Sequence, residues 1–397
     1  MFFLLAVATV AAPACDSSTS VVILVPGALE LAPRDTAVPQ GGTVQLQATV
    51  YDTAGEPIPL RPAFESSDPS ILTVTTQGLV RSVGPRGAAA ITATLGPFVA
   101  YTVITVFDSS LAARVPLGGR PHSAAIAPSG ATYVAQVSRA QLARVDLASR
   151  AFIANVAVGQ VPTEVTFNST ATRAYVTNQF SQNVGVVDVA TNTQIDAISV
   201  TGDPFAVIVT PGDSILYVTT NVDSVYGIRL STKAVVAAFA VPATANGFVA
   251  RDTLLYVSTR AGGTVVEFNL RTRTVSRTFV VGGMPQKMTF SANGNELYIA
   301  NEMGYVQFWN LGTGAQIGTN LALPGGGGFG IALRPSDGRL YVTTAYYGGG
   351  SIHIVNPTTR VVTRTIQAGG DTRRVVFNAT GTIGFVPNEG GWLDYLK

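Results

Sequence analysis

Ala174-Tyr175-Val176-Thr177-Asn178 is a short apolar strand that recurs through most of this 397-residue chain. Near copies stand at Thr132-Tyr133-Val134-Ala135, Leu216-Tyr217-Val218-Thr219, Leu255-Tyr256-Val257-Ser258, Leu297-Tyr298-Ile299-Ala300, Leu340-Tyr341-Val342-Thr343 and Gly384-Phe385-Val386-Pro387. From Tyr133 to Phe385 the aromatic residues are 42, 42, 39, 42, 43 and 44 positions apart, and a steady period of this size marks a repeat architecture. Each repeat has the same grammar, read most easily in the second. Gly159-Gln160-Val161-Pro162 is a turn, Glu164 to Phe167 a strand, the Tyr175 segment a second strand, Val184 to Asp188 a third and Gln194 to Val200 a fourth. Apolar and β-branched runs bounded by Asn, Asp, Gly, Ser and Thr predict strands and tight turns. Four strands per repeat, seven times over, predict an all-β seven-bladed β-propeller, because a single blade cannot bury both faces alone. The last repeat ends one strand short. Ala113 to Pro121 matches the fourth-strand ending Val280 to Pro285, so Leu111 to Leu117 is expected to pair with Trp392 to Leu396 and close the seventh blade.

The Tyr-Val-Thr-Asn strand, the Val-x-Val-Val-Asp-x-x-Thr at Val184 to Thr191 and the Gly-x-x-Pro opening of most repeats resemble the YVTN β-propeller repeat family over about residues 110–397. The resemblance implies surface-layer, cell-surface or periplasmic binding proteins, with a few enzyme relatives. Two repeats depart from the pattern, with Ala243 to Asn246 in the fourth and Pro324 to Gly328 in the sixth replacing the Gly-Pro opening.

Charged residues make up only 12% of the chain, against about 25% for an average soluble protein. The net charge of +2, from 25 basic and 23 acidic residues, gives no broad electrostatic reason to expect nucleic acid.

Met1 to Val10 is almost wholly apolar and is followed by Ala11-Ala12-Pro13-Ala14. A run this short reads as a signal peptide over residues 1–14, since a spanning helix needs about 20 apolar residues. Cys15, the only cysteine, follows at once. Ala12-Pro13-Ala14-Cys15 resembles a bacterial lipoprotein box, which implies a lipidated Cys15 and a membrane anchor, with residues 15–20 as a polar tether. Cleavage after Ala14 without lipidation is the rival, and an uncleaved apolar anchor the third reading. The first two place the protein outside the cytoplasm, in the periplasm or on the cell surface. With one cysteine, no intrachain disulfide contributes.

Residues 21–107 have another texture. Gly41 to Val50 alternates with period two as a half-buried strand does, and further short apolar runs at Phe64, Leu72 to Val74, Gly78 to Val80 and Ala90 to Thr94 predict a small β-sandwich. Their order resembles a bacterial immunoglobulin-like domain of group 2, with Phe64 where that family usually has Trp. The resemblance implies a spacer or stalk.

The search for chemistry is informative mainly through what is missing. His122 and His353 are the only histidines, which excludes a multi-histidine copper cluster, and no Cys-x-x-Cys-His is present for covalent haem. There is no Gly-x-Ser-x-Gly and no phosphate-binding loop, and Gly325 to Gly328 reads as a turn. No cofactor or metal site is expected. In a propeller, ligands meet the loops at one mouth of the central channel. Aligned on the repeat proline, the residues expected there include Arg120, His122, Glu164, Gln286, Lys287, Arg373 and Arg374. The cations among them suit an anion or an acidic partner loop, and a solvated polar rim is the bland alternative. Asp188, Asp146 and Asn356 are expected to fix turns.

Three functions follow from these features. The chain reads first as a non-enzymatic, membrane-tethered extracytoplasmic binding or scaffold protein that contacts other proteins, membrane or cell-envelope ones, through the propeller. The second reading is an accessory subunit of a larger membrane complex of respiratory or photosynthetic type. The third is a lactonase-like hydrolase with His122 and Glu164 as its acid-base pair.

Overall fold

The computed structural model describes residues 24–34, 36–84, 86–210, 212–345 and 349–397. The expected signal peptide, Cys15 and its tether, and the first three residues of the expected sandwich lie outside the described residues. The chain divides into two compact units between Phe107 and Asp108, and every regular element among the described residues is a β-strand.

Among the described residues the amino-terminal unit has three small sheets. Its longest strands, Gly87–Leu95 and Phe98–Phe107, pair antiparallel. Alternation decides what each contributes. Ile91, Ala93, Ile104 and Val106 are buried in a core with Leu31, Leu46, Leu72 and Val80, while Val99, Tyr101 and Val103 point to solvent. Phe64 packs on the edge of this core. The alternating run from Gly41 to Val50 is not one strand. It breaks at Leu46 into Thr43–Gln45 and Gln47–Asp52, which belong to different sheets. The cause is local: Leu46 N–H donates to Gly78 O, and Gly78, at φ +79°, approaches so closely that a Cβ would meet Leu46 O at 2.7 Å. Leu46 thereby turns fully into the core.

The carboxy-terminal unit contains seven four-stranded antiparallel sheets of propeller-blade type. Six are built from consecutive strands, the second of them being Pro162–Phe167, Arg173–Asn178, Asn183–Asp188 and Thr193–Ser199. The seventh joins the two ends of the unit, with Leu111–Pro116 hydrogen-bonded along Trp392–Leu396. Each sheet is open, and none closes on itself. The first strands of successive sheets lie side by side from Pro121–Ile126 through Gly328–Leu333, and Pro121–Ile126 also touches Val376–Phe377 and Gly384–Asn388 of the seventh sheet. The strand expected from Arg373 to Phe377 is reduced to Val376–Phe377. Its partner Pro387 accepts from Arg373 N–H but has no N–H to return, so the regular ladder is interrupted there, with only the isolated bridge of Thr372 to Asn388 beyond it.

The recurring strand letters now have physical meanings. The tyrosine and valine positions are buried between sheets, with Tyr133, Val134, Tyr217 and Val218 at most 1% exposed. The threonine hydroxyl is a staple: Thr177 Oγ1 accepts from Glu164 N at 3.0 Å and donates to Phe205 O of the next sheet at 2.8 Å. Thr343 does the same between Gly330 N and Arg373 O, and Ser258 between Gly247 N and Gln286 O. The asparagine secures the incoming turn, as Asn301 does by accepting from Met284 N and donating to Gly282 O. Asp188 accepts from the N–H groups of Ala190 and Thr191, and Asp146 and Asn356 act likewise on their own turns.

Candidate functional site

The staple also shapes the site. Where the first strands of several sheets meet their neighbours the register slips, between Pro121 and Ser123, Pro162 and Glu164, Pro204 and Val207, and Pro285 and Met288. A bulge re-aims the side chains beside it. The residues skipped by these slips are carried out of the regular ladder, and His122, Gln286 and Lys287 of the positions singled out from sequence are among them.

The bulged residues converge. Lys287 Nζ of the fifth sheet lies 2.7 Å from Glu164 Oε1 of the second, 123 residues away in sequence. Arg374, next to the seventh sheet, brings its Nη2 to 3.8 Å from the other oxygen of Glu164 and donates Nη1 to Phe329 O. Around Glu389, which follows the second strand of the seventh sheet, a further cluster forms. His122 Nδ1 lies 2.8 Å from Glu389 Oε1, Arg120 Nη2 is 2.5 Å and Arg373 Nη2 3.2 Å from Oε2. Arg373 Nε is also 3.0 Å from Oε1 without hydrogen-bond alignment. Gln286 belongs to a neighbouring chain of contacts, donating to Glu302 Oε2, which is held by Arg260 through both carboxylate oxygens, and accepting from Asn246. Phe205 and Phe329 form apolar walls. The His122 ring meets Phe205 edge-on at 5.9 Å, and the Arg373 guanidinium covers Phe329 at 4.7 Å.

Burial and charge set the protonation states. Burial pushes the His122 imidazole below its ordinary pKa despite its hydrogen bond to Glu389, with Arg374 and Arg373 adding to the effect, so the ring is neutral at pH 7. Burial works to raise Glu389, but the hydrogen bond from His122, the charge of Arg373 and the hydrogen bond from Arg120 outweigh it and hold the carboxyl well below the usual range. Burial likewise works against ionisation of Glu164, and Lys287 and Arg374 overcome it. Lys287 is pushed down to about 8, chiefly by burial, with Glu164 opposing.

Of the seven residues expected at the mouth, Glu164, Lys287 and Arg374 meet in one group, Arg120, His122 and Arg373 in a second around Glu389, and Gln286 in a third with Glu302. His122 and Glu164, expected as an acid-base pair, do not bond to each other, and each is engaged with a different partner. Glu389 was missed from sequence, although a signal existed. It follows the motif asparagine at Asn388 just as Glu302 follows Asn301, and both carboxylates reach this set of contacts. Among the described residues no three His, Cys, Asp or Glu side chains gather as a metal-binding group. Two cavities of about 640 and 290 Å³ are lined by turns at the other ends of the strands, including Asn293, Asp337 and Thr358 in the first and Asp252, Gly294 and Gly312 in the second. Glu164 Oε1 and both oxygens of Glu389 are engaged by Lys287, His122 and arginines, while Glu164 Oε2 has no hydrogen-bond partner among the described residues.

No protein-family profile matches the chain, and no curated protein matches it. Among solved structures 1720 chains match, so the likeness is widely shared. One of them, Kuenenia stuttgartiensis hydrazine synthase, has a TM-score of 0.63 and 15% identity over 73% of this chain and 99% of that one. At that identity the similarity concerns the fold alone, and the fold it supports is an all-β, propeller-like one.

Proposed function

We propose that this chain is a non-enzymatic, membrane-tethered extracytoplasmic binding or scaffold protein. In this reading the seven sheets are YVTN-type blades closed into one ring through the pairing of Leu111–Pro116 with Trp392–Leu396. The amino-terminal unit serves as an immunoglobulin-like spacer, and lipidated Cys15 provides the anchor. The observation that carries the reading is the occupation of Glu164 and His122, which bond to Lys287 and Glu389 and not to each other. A hydrolase needs a base within reach of its substrate. Here the carboxylates serve to hold cations in place, and a rigid, charged mouth is a recognition surface.

The test is affinity purification of the native protein from gently solubilised membranes, with mass spectrometry of the retained proteins and of the amino-terminal peptide. Stoichiometric recovery with envelope proteins and a diacylglyceryl Cys15 is expected. Recovery with a defined respiratory or photosynthetic assembly would identify an accessory subunit. An unmodified amino terminus in the soluble fraction would remove the anchor, and turnover of lactone substrates lost in Glu164→Gln would overturn the non-enzymatic assignment.

A further inference from the structure

The charges at the mouth do not balance. Four cations, Arg120, Lys287, Arg373 and Arg374, stand against two carboxylates, Glu164 and Glu389, leaving a surplus of two positive charges. Hydrogen bonding is also incomplete. An ammonium offers three donors and a guanidinium five. Among the described residues, Lys287 uses one on Glu164 and Arg374 one on Phe329 O, although their side chains are only 12% and 6% exposed. Of the 15 buried side-chain polar atoms without a partner among the described residues, five are here: His122 Nε2, Ser123 Oγ, Glu164 Oε2, Arg373 Nε and Arg374 Nε. Buried polar groups normally find partners. Three of the five, Ser123 Oγ, Arg373 Nε and Arg374 Nε, can donate, and unused donors beside surplus positive charge are the character of a site for an anion.

We infer that the mouth receives a carboxylate between Lys287, Arg373 and Arg374, supplied by an acidic segment of a partner protein or by a free organic acid. The inference rests on the binding-protein reading above and names the chemistry of its ligand. A carboxylate is planar, and its two oxygens match the fork of a guanidinium. Arg373 is already oriented for this, with its plane held over Phe329 and its Nη2 tied to Glu389. A phosphate dianion fits less well, because Glu164 and Glu389 flank the same donors. Arg120, with its side chain 55% exposed, is at the outer rim, where it would meet an approaching anion first. Neutral His122 donates from Nδ1 to Glu389, which makes Nε2 an acceptor. An N–H or O–H next to the ligand's carboxylate would complement it, as a peptide amide or an α-hydroxyl does.

Isothermal titration of the full-length protein tests this with four probes: a glutamate-rich octapeptide, its glutamine counterpart, citrate and inorganic phosphate. The comparison variant is Arg120→Gln/Arg373→Gln, which changes the two more exposed cations and is checked for an unchanged melting temperature. The glutamate peptide or citrate is expected to bind at least tenfold more weakly to the variant and more weakly as salt increases, with no binding of the glutamine peptide. Binding of the peptide alone identifies a partner segment as the source, and binding of citrate alone a free acid. Failure of both carboxylates, tighter binding of phosphate, or binding undiminished in the variant would overturn the inference. Should partners be recovered undiminished by the variant while neither carboxylate probe binds, the scaffold reading stands and the carboxylate site falls. Should no partner be recovered while citrate still binds, the carboxylate site stands and the scaffold reading falls.

Discussion

Lys287 and Glu164, 123 residues apart and on strands of two different sheets, form a bond of 2.7 Å that is shielded from solvent and reinforced by Arg374. Removing one member of a buried ion pair leaves the other charge uncompensated, which costs about 3–5 kcal/mol. Glu164→Gln is therefore expected to lower the urea midpoint markedly, with Lys287 and Arg374 left facing each other. Glu164→Gln/Lys287→Met should recover much of the loss, because the stranded ammonium goes too. Equal midpoints for the wild type and Glu164→Gln would show that the bond holds nothing together.

Arg114 and Asp394 are directly opposite in the pairing that joins the two ends of the carboxy-terminal unit. Their side chains are 2% and 0% exposed, with Arg114 Nε 2.6 Å from Asp394 Oδ1 and Nη2 donating to Ala368 O, just after the strand Val361–Gln367 of the preceding sheet. Burial pushes the Asp394 carboxyl up, and the nearby guanidinium opposes this. Asp394→Asn keeps the shape and deletes the charge, so the expected cost is again about 3–5 kcal/mol. The loss should appear first in hydrogen exchange of the Val115 and Leu393 amides. Protection there equal to that of the wild type would mean that backbone pairing alone secures the strand.

His353 gives a prediction of pH dependence. Its side chain is fully buried, with Nδ1 3.0 Å from Thr365 Oγ1 and Nε2 3.3 Å from Thr344 Oγ1, and burial pushes its pKa down to about 4. The unfolded chain takes up this proton near pH 6.5. Between those two values the unfolded state binds more protons than the folded one, so stability is intact above about pH 6.5 and declines as pH falls towards 4. The contribution is on the order of 3 kcal/mol. Denaturant midpoints measured at pH 7.5 and 4.5 should fall less in His353→Gln than in the wild type. Equal losses in both would assign the acid sensitivity to other groups.

Much of the fold was legible because its determinants are local. Asp188 fixes its own turn through Ala190 and Thr191, and Thr177 bonds to Glu164 within the same hairpin. Residue type and short spacing therefore carry the information. The break at Leu46 was not legible. The period-two pattern continues through it, and the break depends on Gly78, 32 positions later, coming close enough to accept from Leu46 N–H. The short strand at Val376–Phe377 depends on Pro387, which was visible in the sequence but reads as a fault only once it is opposite Arg373.

The sequence by itself determined the period, the four strands of each repeat and the pairing partner of Leu111–Pro116, and it picked out side chains now found around Glu164, Glu389 and Glu302, because strand patterning and proline spacing are properties of the repeat. Only the tertiary structure decided who bonds to whom there. Glu164 meets Lys287 and not His122, and His122 meets Glu389 across 267 residues. Such contacts depend on how whole sheets are arranged in space. That arrangement is set by packing between tyrosine and valine faces that are nearly the same in every repeat, so the repeat pattern carries no record of which charges it brings together.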